Sequence, residues 1–148
     1  MIKLPSGLEI KNLIDDLRIF SWEACETLLF YSQILKESNN KSNIIENGNH
    51  DDPVTLADLK VNEIIINRIN DKYKEIDWEI LSEENVKSAR NDFDSNADWL
   101  WILDPLDGTK DFIQGTSNYS MHLALNYKQK TLIGIVLMLI GIAGSFVP

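Results

Sequence analysis

From Leu8 to Leu35, apolar or small residues recur by threes and fours, at Ile10, Leu13, Ile14, Leu17, Ser21, Ala24, Leu28, Tyr31 and Leu35. That spacing predicts one long helix with a single buried stripe. Ser38 to Asp52 is rich in Asn, Ser, Lys and Gly and has no period, so it is expected to be an exposed loop. Pro53-Val54-Thr55-Leu56-Ala57-Asp58 starts a second helix, which buries Ala57, Val61, Ile64, Ile65 and Ile69. Beyond it the helical period gives way to alternation. Ile76–Ile80 reads as a strand with one buried face, ending at Leu81-Ser82-Glu83-Glu84-Asn85. The run Leu100–Leu103 is apolar throughout, and Gly115 to Asn118 is a turn. Tyr119, Met121, Leu123, Leu125 and Tyr127 alternate with Ser120, His122, Ala124 and Asn126, a clear strand. Lys128-Gln129-Lys130 then makes a turn into a last strand at Leu132–Val136.

From Thr131 to Pro148 there is no charged residue, and the apolar run continues past the length of an ordinary strand. A membrane span needs about 20 apolar residues. This run is shorter and is broken by Gly134, Gly141 and Gly144, so a strand followed by an atypical apolar tail at 137–148 is expected instead of an anchor.

At 148 residues the chain suits one domain with one core. The 14 Lys and Arg against 23 Asp and Glu give a net charge of −9, which disfavours binding to a nucleic-acid polymer. A small phosphorylated substrate stays compatible with that balance if metal ions supply the positive charge. Cys25 is the only cysteine, so neither an internal disulfide nor a cysteine-rich zinc site is open to the chain. Met1-Ile2-Lys3-Leu4-Pro5 lacks the apolar core of a signal peptide, and the cytoplasm is the expected compartment.

Candidate chemistry concentrates in Trp101-Ile102-Leu103-Asp104-Pro105-Leu106-Asp107-Gly108-Thr109-Lys110-Asp111-Phe112. An apolar strand delivers two carboxylates into a turn stiffened by Pro105, where Gly108 lets the backbone come close to a ligand. Thr109 opens a short helical segment whose free N–H groups suit an anion. The same dipeptides also occur in turns with no chemistry, so context must decide. An EF-hand calcium loop is set aside, because Asp104 and Asp107 do not alternate as its ligands do. Thr55 and Asp58 stand in the relation of a capping box, so the pattern alone favours Asp58 as a helix cap over a group that orients a water in the pocket. Glu83 and Glu84 are solvated acids unless their strand lies beside Leu100–Leu103. Asp92, Asp94 and Asp98 fall in a polar connection and read as solubilising, and His122, without a partner at catalytic spacing, reads as structural.

In combination and in this order, Pro53–Asp58, Leu81-Ser82-Glu83-Glu84 and Trp101–Phe112 resemble the inositol monophosphatase-like family of magnesium-dependent, lithium-sensitive phosphatases. Asp107-Gly108-Thr109-Lys110-Asp111-Phe112 and the preceding Leu-Ser-Glu-Glu look more like its 3′(2′),5′-bisphosphate nucleotidase branch. The resemblance runs from about Leu8 to Val136. It implies an α+β, layered helix/sheet fold of the sugar-phosphatase kind, of which this is the amino-terminal portion, with a mostly antiparallel sheet. It also implies two or more Mg2+ ions. Glu83 and Asp104 with the Leu106 carbonyl would hold one, and Asp104 with Asp107 would contribute to a second. Thr109 and Asp58 would orient a water, Gly108 and Thr109 would hold the phosphate, and Glu84 would stand behind the metal ligands. The implied reaction is removal of the 3′-phosphate of adenosine 3′,5′-bisphosphate, with inositol monophosphate as the alternative substrate.

The family also carries a later Trp-Asp motif, and here no Trp is followed by Asp. The loop before Pro53, Asn47-Gly48-Asn49-His50-Asp51-Asp52, shows no basic residue where the family usually has one. The expectation is a single, truncated phosphatase domain over 1–148, family-like over 1–136, with activity impaired or absent. Its partners would be a small phosphorylated substrate and a second copy or a complementing second half, with no membrane.

Overall fold

The computed structural model describes residues 4–5, 7–37, 43–47, 53–87 and 97–139. Helix α1 (Ile10–Glu37) follows from the long stripe and buries Leu13, Leu17, Phe20, Ser21, Ala24, Leu28, Ser32 and Leu35. Ile10 and Ile14, expected in that stripe, are 47% and 38% exposed. The buried arc is instead completed by Phe20, which the spacing had passed over. Strand β1 (Ile45–Asn47) lies inside the expected loop and pairs antiparallel with β2 (Val54–Thr55). Two isoleucines in a polar stretch are too short a run to show a period, yet Ile44 is buried in the core and its carbonyl accepts from Leu56 N–H at 2.8 Å.

Helix α2 (Leu56–Lys72) therefore starts after a two-residue strand and not at Pro53. Ala57, Val61, Ile65 and Ile69 are fully buried on one face, with Ile64 half-buried at its edge. Strand β3 (Glu79–Ser82) begins three residues later than the alternation suggested. Trp78, expected inside that strand, stands edge-on between Tyr73 and Trp101, with ring centroids 5.2 and 5.4 Å away. Helix α3 (Glu83–Lys87), β4 (Trp99–Asp107), α4 (Thr109–Gln114), β5 (Ser120–Tyr127) and β6 (Lys130–Met138) complete the order. Leu137 and Met138 thus extend the last strand, and residues 140–148 lie outside the described residues.

The main sheet has the order β3-β4-β5-β6, parallel between β3 and β4 and antiparallel elsewhere. The mostly antiparallel α+β arrangement expected from the motifs is what forms. Because side chains alternate across a strand, Trp101, Leu103, Met121, Leu123 and Leu125 share one face and pack with α1 and α2 in the core. The opposite face carries the rows Ile102–Ala124–Gly134 and Asp104–His122–Val136. There Ile102, Val136 and Met138 are 38%, 61% and 69% exposed, so the described elements cover the sheet on one side. Between β5 and β6, Lys128 and Gln129 have φ of 48° and 63°, the pair of left-handed residues that a two-residue type I′ hairpin requires.

Truncating the two faces should separate their contributions. Leu103→Ala is expected to lower unfolding free energy by about 2–5 kcal/mol, and Ile102→Ala by no more than about 1 kcal/mol. Urea unfolding followed by circular dichroism measures both, and equal losses would contradict the one-sided core.

Candidate functional site

The parallel register places the first carboxyl pair. Ser82 lies opposite Leu103, and the next residues along the two strands are Glu83 and Asp104. The condition under which Glu83 could reach the Asp104 turn is thus met, and the Glu83 carboxyl is close enough to Asp104 to favour its protonated form. Glu83 opens α3 directly after β3, where Lys87 lies 2.8 Å from its carboxylate, and its side chain stays partly open to solvent. Glu84 points away into the protein, is 6% exposed, and lies 3.7 Å from Lys87.

Past Asp104 the chain turns within the strand. Leu106 N–H donates to Asp104 Oδ1 at 3.1 Å, closing an Asx turn around Pro105. Asp104 pairs with His122 and Asp107 with Ser120, so three steps on β4 match two on β5. This bulge turns Asp107 outward. Its side chain is 60% exposed, and Oδ2 lies 3.9 Å from His122 Nε2, which is itself 2.9 Å from Ser120 Oγ. Gly108 has φ of 87°, and a Cβ there would meet the Asn118 carbonyl oxygen at 2.5 Å. Close backbone packing therefore demands glycine at this point, in addition to any ligand approach.

Thr109 joins the turn to the start of α2. Its hydroxyl lies 3.1 Å from Asp58 Oδ1 and 3.0 Å from the Leu106 carbonyl, with one proton to give. The other oxygen of Asp58, Oδ2, accepts from Thr55 N–H at 2.8 Å and Thr55 O–H at 2.5 Å, while Thr55 Oγ1 accepts from Ala57 N–H and Asp58 N–H. The capping box is thus present in full, and the two readings of Asp58 occupy different oxygens of one carboxyl. Burial pushes the Asp58 carboxyl above its ordinary range, opposed by the hydrogen bonds from Thr55 and Thr109. Burial, the hydrogen bond to Glu83 and the charge of Glu83 push Asp104 up to about 7.

Glu83, Asp104, Leu106, Asp107, Gly108 and Thr109 line one cleft of about 320 Å³, shared with Pro53, Lys110 and Asp111. Asp58 reaches it through Thr109, and Glu84 does not line it. Among the described residues no three acidic, histidine or cysteine side chains converge as a ready cation cage. What converges is the Glu83–Asp104 pair, with Asp107 across the bulge. A larger hollow of about 550 Å³ lies between α1 and α2, lined by Glu23, Phe30, Lys60 and Arg68 among others, and holds none of the predicted residues. Asp98 lies 3.6 Å from Lys128 at the far end of the sheet, while Asp92 and Asp94 lie outside the described residues. His122 and Ser120 were not legible as neighbours of the carboxylates from spacing. Pairing the two alternating strands in register would have found them.

A family model, the inositol monophosphatase family, matches residues 21–144. The chain belongs to the inositol monophosphatase family. It is 33% identical over 86 residues to the 3′(2′),5′-bisphosphate nucleotidase CysQ of Haemophilus influenzae, covering 57% of this chain and 30% of that protein. A staphylococcal inositol monophosphatase-1, solved as an inhibitory complex soaked in 100 mM LiCl, is 26% identical with a TM-score of 0.64, covering 88% of this chain and 45% of that one. An IMPase/NADP phosphatase complexed with NADP and Ca2+ has a TM-score of 0.66 at 21% identity, again over 88% and 45%. The chain therefore has the inositol monophosphatase fold over less than half the length of these relatives. Among the described residues no helix is long and apolar enough to cross a membrane.

The Asp104 carboxyl sets a pH dependence. The folded chain keeps its proton up to about pH 7, whereas the unfolded chain releases it near the ordinary 3.8. Protons are thus bound preferentially by the folded state in that window, and stability falls as pH rises through it. Asp104→Asn removes the penalty. In a metal chelator its Tm should match wild type near pH 4 and exceed it at pH 8, as read by thermal scans. A variant less stable than wild type at pH 8 would contradict the strained pair.

Proposed function

We propose that this site performs metal-dependent hydrolysis of a small phosphate monoester. The observation that supports this reading most is the contact of Thr109 with both Asp58 and the Leu106 carbonyl, which sets a water-orienting pair beside the Glu83–Asp104 carboxyls. Oxygen-only donors, three carboxylates and the Leu106 carbonyl, suit a hard divalent cation such as Mg2+ in preference to a thiophilic one. Glu83, Asp104 and the Leu106 carbonyl would hold one ion, and Asp104 with Asp107 would contribute to a second. When bound, such ions would acidify the attacking water and offset the charge of the phosphate.

The remaining work belongs to the chain itself. The Thr109 hydroxyl has one proton shared between two acceptors, so its free lone pair can accept from a water and aim it. Asp58 fixes the Thr109 rotamer, while its own place is fixed by Thr55. Gly108 and Thr109 N–H groups would face the phosphate oxygens, and Glu84, held by Lys87, would steady the helix that carries Glu83. The raised carboxyl of Asp104 fits a position that a cation is needed to keep ionised.

The preferred substrate in this reading is adenosine 3′,5′-bisphosphate, supported by Thr109-Lys110 after Gly108 and by the likeness to the CysQ nucleotidase. A second reading is a chain that turns nothing over by itself. It is favoured by the outward turn of Asp107. A complementing polypeptide or a second copy would then be required.

Phosphate release from adenosine 3′,5′-bisphosphate and from inositol 1-phosphate distinguishes these readings. Hydrolysis is expected with Mg2+, none in chelator, inhibition by Li+, and a loss of about 100-fold or more in Asp104→Asn. Equal release by wild type and Asp104→Asn on both substrates would leave only the non-catalytic reading.

A further inference from the structure

We propose that Asn62 is a positioning residue for Glu83, aiming the carboxylate that would serve a cation in the cleft. This inference rests on the metal-dependent reading above. The ladder between β3 and β4 ends at the pair Ser82–Leu103, so Glu83 is the first residue whose direction that pairing leaves open. It opens α3, a helix of 5 residues. A helix that short does not hold itself, because its first turn fixes several dihedral angles for one hydrogen bond. Contacts to neighbouring elements must aim it.

The Asn62 carboxamide makes such contacts on both sides of Glu83. Its Oδ1 accepts from the Ser82 hydroxyl, and its Nδ2 donates to Asn85 Oδ1 at 3.1 Å. One side chain thus brackets Glu83 and Glu84, using its acceptor and its donor at once. Ser82 is fully buried, where a hydroxyl is costly unless it is hydrogen-bonded. Asp58 stands four residues before Asn62 on α2, and positions so spaced share one face of a helix. That face therefore carries both Asp58, which takes the Thr109 hydroxyl, and Asn62, which takes the junction of β3 with α3. Lys87 lies on α3 itself, so its ion pair with Glu83 turns with that helix. Asn62 instead refers Glu83 to the element that carries Asp58, and so sets the two halves of the site relative to each other.

Cation affinity tests this without turnover, by isothermal titration calorimetry with Mg2+ alone. Groups that orient a metal ligand are worth about 10-fold or more in affinity. Asn62→Ala should therefore weaken Mg2+ by about tenfold. Ser82→Ala, which removes a single hydroxyl, should reproduce that loss, and it carries the test if thermal scans show that Asn62→Ala does not fold. The double variant should lose no more than either single one, since both break the same link. Glu83→Gln should lose at least as much, because Asn62 acts through that carboxylate. Ile65→Val, a core change on the same helix, should lower Tm and keep wild-type affinity. Unchanged affinity in Asn62→Ala and Ser82→Ala, an equal loss in Ile65→Val, or a smaller loss in Glu83→Gln overturns the inference and leaves the metal-dependent reading standing. If wild type binds no Mg2+, that reading fails and the inference falls with it.

Discussion

The carboxyl of Asp58 is the constraint on which the rest of the site depends. One oxygen satisfies the orphan donor at the start of α2, and the other takes the hydroxyl of Thr109, across 51 residues of chain. A buried acid is costly unless it is hydrogen-bonded. Asp58 is 2% exposed and meets that condition only when helix start and turn are both in place. The second helix, the turn after β4 and the first residue of α4 are therefore fixed relative to one another by a single group. Glu83 and Asp104 are fixed independently, by the parallel pairing of β3 with β4. The cleft lies where these two constraints meet.

What could be read from the chain divides along the same line. Local relations were legible: the Thr55–Asp58 capping box, the alternation of β5, and the turn from Asp104 to Thr109 all declare themselves within a few residues. Long-range relations were legible only conditionally. Glu83 could be a ligand or a solvated acid until the register of β3 on β4 decided. His122 had no partner along the sequence because its partners stand on another strand. Ile44 and Ile45 were lost in a polar stretch, since a period cannot be seen in two residues. Ile10 and Ile14 fit a helical stripe in number but fall outside the buried arc, which periodicity alone does not locate.

Charge explains why the site is arranged as it is. Glu83 raises the Asp104 carboxyl, so a proton on Asp104 relieves the pair, while Asp107 turns outward beside His122. The bulge in β4 is what gives Asp107 that freedom. Without it the two acids of the turn, an odd number of positions apart, would point to opposite faces of the sheet. Backbone geometry thus brings the carboxylates to one face before any ligand does. On the same face, the exposed Val136 continues the row that starts at Asp104 and Met138 the row that starts at Asp107, so whatever covers that apolar surface also adjoins the cleft.

Gly108 bears on how function would be assigned by mutagenesis. Its neighbours along the chain are both candidate site residues, and a glycine in such a place invites the explanation that a phosphate must come close. Yet the Asn118 carbonyl already occupies the space a side chain would need. Activity lost on replacing Gly108 would therefore report a displaced loop between α4 and β5 as readily as a lost ligand contact. Ligand contacts here are better diagnosed at Thr109, whose side chain is what the site uses.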